Sequence, residues 1–312
     1  MITLRQLNSF LVVAQEGSIT LAAERLLLTK SAVSMNLSEL EKHLGQRLFD
    51  RSNNRLRLNE QGKKLLPMVD ELLLRTQAIE TLFTTSQNTG DTKAPLTGRL
   101  RIGASYTTGN HVIPYLIQDF RKHTYHTNQS LIVTNSSEVA EMLNGFELDI
   151  GFIEGRVQEP ELLSIPWRQD QMVVVCAPSH PLAQRFCRGA TPAPIHMQHL
   201  DNVDWVLRES GSGTREFFLT KLAPYLEQWH IAFELNNSEA ILSCVMAGLG
   251  LTCISQLAVQ DLLAQGRLCA LPLDIDMHRQ YALLYHREKY LSPLISAFIQ
   301  FSRNWQGALL FE

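Results

Sequence analysis

No run of apolar residues in this 312-residue chain comes near the ~18–20 needed to cross a bilayer. Arg5, Gln6 and Asn8 also break up the N-terminus before the apolar core of an export signal can form. Both absences point to a cytoplasmic protein with no membrane partner. Charge is sparse at 19% against 45% hydrophobic residues, which excludes a disordered chain. Cysteine is scarce and oddly numbered. Cys176, Cys187, Cys244, Cys253 and Cys269 contain no Cys-x-x-Cys spacing, so no four-ligand zinc site can be assembled and no metal is expected. Scattered in apolar contexts, they read as small buried hydrophobes in a reducing compartment, with Cys244 and Cys253 left open as a redox pair. The Gly-Lys-Ser/Thr of a nucleotide-hydrolysing loop is missing, and Gly211–Ser212–Gly213 lacks the spacing of a serine-hydrolase elbow. With no Ser-His-Asp set either, the chain is expected to have no catalytic residues, to use no cofactor and not to be an enzyme.

What is present begins with an uneven charge distribution. Residues 1–65 hold ten Lys and Arg against six acidic residues, a surplus of four, so the net charge of −3 leaves −7 for the rest. A basic head on an acidic body suits a nucleic-acid-binding module fused to something else. Leu4, Leu7, Phe10, Leu11 and Ala14 fall on one face of a first helix that Gly17 ends. Ser18 is placed to cap a second helix carrying Leu21, Ala22, Ala23 and Leu26, and Thr29 a third with Val33, Leu37, Leu40 and Leu44 inward. Three short helices with a brief turn between the last two predict a helix-turn-helix over about 18–38. Two short alternating segments around Asp50–Arg55 predict a β-hairpin wing carrying Arg51, Asn53, Arg55 and Arg57, closing a domain at 1–59.

From Glu60 to Thr85, Leu65, Val69, Leu72, Thr76, Ile79 and Phe83 alternate in steps of four and three. That is a heptad seam on a helix of ~26 residues reaching ~39 Å. A stripe of that length is too long to bury against so small a domain, so dimerisation through residues 60–90 is expected, with Pro67 kinking the start and residues 86–98 forming a hinge. Beyond Gly98 short apolar runs alternate with helical stretches. The rhythm predicts an α/β domain over 91–312 with mainly parallel sheets, including helices near 137–144 and 213–228. Rhythm alone leaves open one sheet or two subdomains.

One stretch of the α/β part carries chemistry. Arg208–Glu209–Ser210–Gly211–Ser212–Gly213–Thr214–Arg215 follows an apolar strand and opens a helix; glycines let backbone amides approach a ligand and hydroxyls add donors. Its bland counterpart is an ordinary strand–turn–helix corner. Other strand ends lie at Ser105–Gly109, Ser136–Ser137 and Glu154–Gly155.

Leu4–Arg5–Gln6–Leu7–Asn8–Ser9–Phe10, Gly17–Ser18–Ile19–Thr20, Ala22–Ala23–Glu24–Arg25–Leu26, Ser31–Ala32–Val33–Ser34, Leu40–Gly45 and Leu48–Arg51 stand in the order and spacing of the bacterial LysR-type transcriptional regulators, which the sequence resembles along its whole length and most strongly over residues 1–62. The resemblance implies an N-terminal all-α winged helix-turn-helix, a long linker helix, and a C-terminal periplasmic-binding-protein-like domain of two Rossmann-like subdomains, here about 98–168 with 271–312, and 169–270. It implies a third helix in the major groove of promoter DNA, with Lys30, Ser31, Ser34, Met35 and Ser38 facing the duplex and Arg51, Asn53 and Arg55 in the wing. Relatives commonly carry Arg or Gln after the second serine; Met35 removes the bidentate guanine contact and leaves a thymine-methyl contact.

The resemblance further implies a small-molecule effector in a cleft between the subdomains, at the carboxyl ends of strands. Ser105, Thr107, Thr108, Ser136, Glu154, Ser210, Ser212, Thr214 and Arg215 are the effector residues carried over, and the effector class is a small oxyanion, a phosphorylated metabolite or an organic acid. Glu154 repels a dianion unless a proton is shared or Arg208 or Arg215 intervenes, which favours a monoanion. Two helix-linked dimers forming a homotetramer, with RNA polymerase as a further partner, complete the implied picture. An enzyme and a transport-type solute-binding protein are the rival classes.

Overall fold

The computed structural model describes residues 1–52, 55–82, 96, 98–187 and 195–307. Helices α1 (Leu4–Glu16), α2 (Ile19–Leu26) and α3 (Lys30–Leu44) open the chain. Each begins where a hydroxyl can accept from first-turn N–H groups that have no intrahelical acceptor. Thr3 forms a capping box with Gln6, Ser18 accepts from Leu21, and Thr29 accepts from Ala32. Phe10, Val13, Ala22, Val33 and Leu40 are fully buried in the centre of this head. Leu4 and Leu21, expected on the inner face, are instead 45% and 48% exposed, because the three short helices close over a narrower stripe. Strands β1 (Phe49–Ser52) and β2 (Arg55–Leu58) pair antiparallel, and the Leu56 amide donates to Gly17 O at 2.9 Å, tying the wing to the end of α1.

Helix α4 (Glu60–Leu82) starts at Asn59, whose Oδ1 accepts from Gln61 and Gly62. The expected seam splits in two. Leu66 and Val69 are buried in the head's own core, which corrects the idea that the helix finds no partner within the chain, whereas Leu72 and Ile79 stay exposed and Thr76 is half-buried. Phe83 and nearly all of the hinge at 86–98 lie outside the described residues.

The remainder runs β3 (Leu100–Ser105), α5 (Tyr106–His111), α6 (Ile113–Thr124), β4 (Gln129–Thr134), α7 (Ser136–Asn144), β5 (Ile150–Glu154), β6 (Leu162–Cys176), α8 (Pro181–Phe186), β7 (Val203–Arg208), α9 (Gly213–Phe217), β8 (Trp229–Leu235), α10 (Ser238–Met246), β9 (Thr252–Ser255), α11 (Gln260–Ala264), β10 (Cys269–Leu271), β11 (His278–His286) and α12 (Pro293–Asn304). A sheet ordered β10-β6-β11-β5-β3-β4, with β9 on β6, forms the spine; β7 and β8 pair separately. The sheet is mixed rather than mainly parallel. β4 and β5 run parallel to β3, but β11 is antiparallel to both β5 and β6, and β9 and β10 are antiparallel to β6. Strand β6 threads two apolar cores: its first half pairs with β11 beside the core of Phe120, Phe152 and Phe298, its second half with β9 and β10 beside that of Trp205, Phe218 and Met172.

The helix expected over 213–228 is broken into the five-residue α9, a π turn Phe218–Leu222 and a 3₁₀ turn Ala223–Tyr225. Pro224 lacks the N–H that a continuing helix needs. Cys244 and Cys253 do not form a pair. Cys253 packs with Trp205 and Leu251, while Cys244 packs against Val206, Ile241 and Ile254, on the other side of β9.

Candidate functional site

Two surfaces are built by this fold. The first is the outer face of α3. Val33, Leu37 and Leu40 turn inward, and Asn36 is buried beside them, donating from Nδ2 to Ser9 Oγ at 2.9 Å. That bond fixes α3 against α1 and sets which side faces out. Lys30, Ser31, Met35 and Ser38 are exposed, Met35 to 58%, and Ser34 is half-buried. Thr29 and Ser31 hydroxyls share a 3.0 Å bond at the helix start. Arg51 and Arg55 fall within β1 and β2, Arg57 is exposed on β2, and Asn53 lies outside the described residues. Leu27, at the turn between α2 and α3, is 92% exposed with φ 54°, a left-handed conformation rare for leucine.

The second surface is a buried polar cluster at the carboxyl ends of β3 and β5, where the second half of β6 and the start of β11 meet them. Glu154, at the end of β5, is 2% exposed and accepts from the Thr107 amide at 2.6 Å and from Thr214 Oγ1 at 3.4 Å. Arg279 faces it at 3.6 Å, donates to Thr214 Oγ1 at 3.0 Å and to Thr107 Oγ1 at 3.5 Å, and pairs with Asp170 at 2.5 Å. Asp170 in turn accepts from Ser255 Oγ at 2.8 Å. Burial alone would push the Glu154 carboxyl up; Arg279 and the Thr107 amide outweigh it and hold the group below the ordinary carboxylate range. Burial likewise works against the Arg279 charge, and Glu154 and Asp170 more than restore it. Burial lowers His111, against the pull of Asp170 and Glu154. Among the described residues, Arg279 Nε and Ser212 Oγ are buried polar atoms with no hydrogen-bond partner.

The cluster sits where the two halves of the domain touch. The Ser137 amide donates to Gly211 O at 3.2 Å, and a Cβ on Gly213 would lie 2.2 Å from Glu154 O, so only glycine allows that approach. Of the residues expected here, Thr107, Glu154, Ser212 and Thr214 converge. Ser136 lies beside them, its hydroxyl donating to Glu154 O at 3.3 Å. Ser105 and Thr108 serve the scaffold, hydrogen-bonding the carbonyls of Phe152 and Ser105 and the Glu154 amide. Ser210 is exposed on the rim. Arg215 turns away to pair with Glu234 and to donate to Arg208 O at 2.8 Å, because α9 points its next residue outward. Arg208 stacks over Tyr106 at 4.3 Å and pairs with Glu209. Sequence reasoning missed Arg279, Asp170 and Ser255. The signal for Arg279 is a cation opening an otherwise apolar run, Tyr281–Tyr285; Asp170, between Gln169 and Gln171, reads as loop.

Comparison with known proteins assigns the two parts of the chain. A model described as "Bacterial regulatory helix-turn-helix protein, lysR family" matches residues 4–63, and "LysR substrate binding domain" matches 93–307. The chain belongs to the LysR family of transcriptional regulators. It is 40% identical over 302 residues, 96% of this chain and 97% of the other, to the Escherichia coli "Uncharacterized HTH-type transcriptional regulator YeiE". Full-length OxyR from Pseudomonas aeruginosa superposes with a TM-score of 0.71 at 23% identity, covering 98% of this chain and 96% of that one. The regulatory domain of Synechocystis CcmR, solved in complex with 2-PG, superposes with a TM-score of 0.57 at 26% identity, covering 66% of this chain and 96% of that one. This LysR-type chain is thus a DNA-binding transcriptional regulator with an effector-binding domain, and its relatives are regulators, not enzymes. No helix among the described residues is long and apolar enough to cross a membrane.

Proposed function

We propose that this LysR-type regulator switches promoter occupancy when a small oxyanion, phosphorylated metabolite or organic acid enters the cluster around Arg279. The observation that carries the reading is a buried guanidinium between the two halves of the domain whose Nε has no partner; the buried Ser212 hydroxyl, two residues before the Arg279 contact Thr214, is unpartnered as well. Buried donors left unpaired cost about 1–3 kcal/mol each, so a ligand acceptor that satisfies them binds with a built-in advantage. Thr107, Ser212, Thr214 and Arg279 supply the donors, with Ser105, Thr108 and Ser136 setting their frame. The regulatory domain of CcmR, which shares this fold, holds a small molecule, 2-PG.

Glu154 limits the charge of the ligand. Its pairing with Arg279 keeps it ionised at neutral pH, so a proton shared between ligand and protein has to reside on the ligand, which favours a monoanion. On the DNA side, Lys30, Arg51 and Arg55 supply phosphate contacts, Asn53 adds a wing contact, and Ser31, Ser34, Met35 and Ser38 meet the groove. Dimerisation runs through the exposed row of α4, two dimers form a tetramer, and the assembly works in the cytoplasm with RNA polymerase.

The test is a thermal-shift screen of oxyanions, sugar phosphates and organic acids on the full-length protein. A true effector at 100 times its Kd stabilises the fold by about 2.7 kcal/mol, and Arg279→Gln removes that shift. A ligand that stabilises wild type and Arg279→Gln equally would place the effector elsewhere.

A further inference from the structure

Far from the cleft, a second buried cluster joins the linker helix to the effector-binding domain. Asp70 of α4 reaches Lys289 Nζ at 2.6 Å and Arg101 Nη2 at 3.2 Å. Asp149 meets the same Arg101 atom at 2.6 Å and the same Lys289 atom at 2.8 Å. The side chains of Asp70, Asp149 and Lys289 are at most 3% exposed. Two cations and two anions balance, but only while Asp70 is docked; withdrawing α4 leaves a buried surplus of one positive charge. Beside them Phe146, at φ 57°, inserts its ring into the head's core, under Lys289 and against His286 at 4.4 Å. Its carbonyl accepts from Arg101 Nη1 at 2.8 Å and from Gln15 of α1 at 3.4 Å. A buried non-glycine residue held at positive φ is strained backbone that its surroundings must enforce.

The placement of these residues relative to the cleft is what gives them meaning. Strand β3 carries Arg101 near one end and Ser105 at the other. Asp149 immediately precedes β5, and Glu154 ends it. Arg279 lies at the start of β11, and Lys289 stands three residues past its end. The strands are adjacent, with Tyr281 opposite Glu154 and Leu284 opposite Gly151, so cleft ends align with cleft ends and cluster ends with cluster ends. Five residues of strand span ~16 Å. Interiors packed to crystal density pass a displacement along such a strand rather than absorbing it. A buried ion cluster contributes less stability than apolar packing of the same volume, whereas removing one member is costly, so the arrangement favours docked or undocked and little between.

We propose that Asp70, Arg101, Asp149 and Lys289 form a latch that holds the DNA-binding head in one orientation, and that the state of the cleft reaches it through β3, β5 and β11. This rests on the reading of the Arg279 cluster as the effector cleft. The test is hydrogen–deuterium exchange on the full-length protein without any ligand, comparing wild type with Asp70→Asn, Lys289→Met, the double variant and Glu154→Gln.

Each single latch variant is expected to speed exchange at least tenfold in residues 66–73 and 146–149 while the β3 core stays protected. The double variant, neutral again, returns to within about threefold of wild type. Glu154→Gln, changed only at the cleft end, is expected to speed the same latch peptides. Additive behaviour of the double variant, or a Glu154→Gln effect confined to residues 105–109 and 210–214, would overturn the latch; should Asp70→Asn fail to fold, Lys289→Met and Glu154→Gln still decide it. Latch peptides that respond to Glu154→Gln when no compound in the thermal-shift screen binds would defeat the effector assignment alone.

Discussion

Asn36 and Glu154 show how one buried polar side chain fixes a surface. Asn36 sits on α3 between the apolar stripe and the outward face, and its bond to Ser9 makes the helix rotation specific where Val33 and Leu37 alone would tolerate slippage. Asn36→Ala leaves the Ser9 hydroxyl unpaired, and the urea midpoint is expected to fall by the equivalent of about 1–3 kcal/mol. Glu154 carries a pH signature. Its carboxyl and that of Asp149 lie below the ordinary range when folded, despite burial, because Arg279 in one case and Lys289 with Arg101 in the other hold them ionised. A depressed carboxylate contributes stability that is present above its unfolded pKa of ~4 and lost as pH falls below it. His111, His180 and His286, lowered chiefly by burial, add a separate loss that begins as pH drops through ~6.5. The melting temperature of wild type should therefore fall steeply below about pH 4. Glu154→Gln should start lower at neutral pH and show a shallower acid limb, with a somewhat larger histidine-linked loss because His111 no longer feels the Glu154 charge; parallel acid limbs would contradict the ion pair.

The elements most legible in the sequence are those set by local chemistry. Ser18, Thr29, Gly17 and Gly45 mark ends of α1 to α3, and the wing follows from its alternation. Thr107, Glu154, Ser212 and Thr214 stand at or next to strand ends, where the resemblance places the effector candidates. What stayed hidden is non-local. Arg168 to Gln171 reads as a polar loop, yet it is the middle of β6, where the strand crosses between two cores, Asp170 enters the polar cluster and Arg168 lies over the Trp305 ring. Arg279 is hidden for the same reason. On α4, a seam of even spacing cannot reveal that Val69 is claimed by the head while Leu72 and Ile79 are not. Those two exposed residues are where the proposed self-association is tested. Leu72→Glu combined with Ile79→Glu should break the α4 contact and lower the sedimentation coefficient to that of a smaller assembly, with little change in thermal stability of the protomer, whose core they do not enter; an unchanged sedimentation coefficient would remove this face of α4 from the interface.

At the scale of the whole molecule, the basic head and the acidic remainder oppose each other. The surplus of positive charge is confined to the first 65 residues, and the body's excess of seven negative charges disfavours close approach of DNA to anything but the head. Affinity for duplex should therefore depend on the few cations the head presents. On the outward face of α3, Lys30 is exposed at the start of the helix, and the neighbours facing the same way are hydroxyls and Met35. Phosphate contacts release counterions, so the slope of log K against log salt changes by about 0.9 per contact. If each head of a dimer places Lys30 on a phosphate, Lys30→Ala should weaken binding to every duplex alike and reduce the slope by about 1.8 for the dimer. Met35→Ala removes an apolar contact and no charge. It should leave the slope untouched and change only the preference among sequences, with sites losing discrimination where a thymine methyl meets the helix. Measuring both variants by fluorescence anisotropy across 50–300 mM salt separates the two roles, and a Met35→Ala variant that shifts the slope, or a Lys30→Ala variant that does not, would mean that α3 meets the duplex in another orientation.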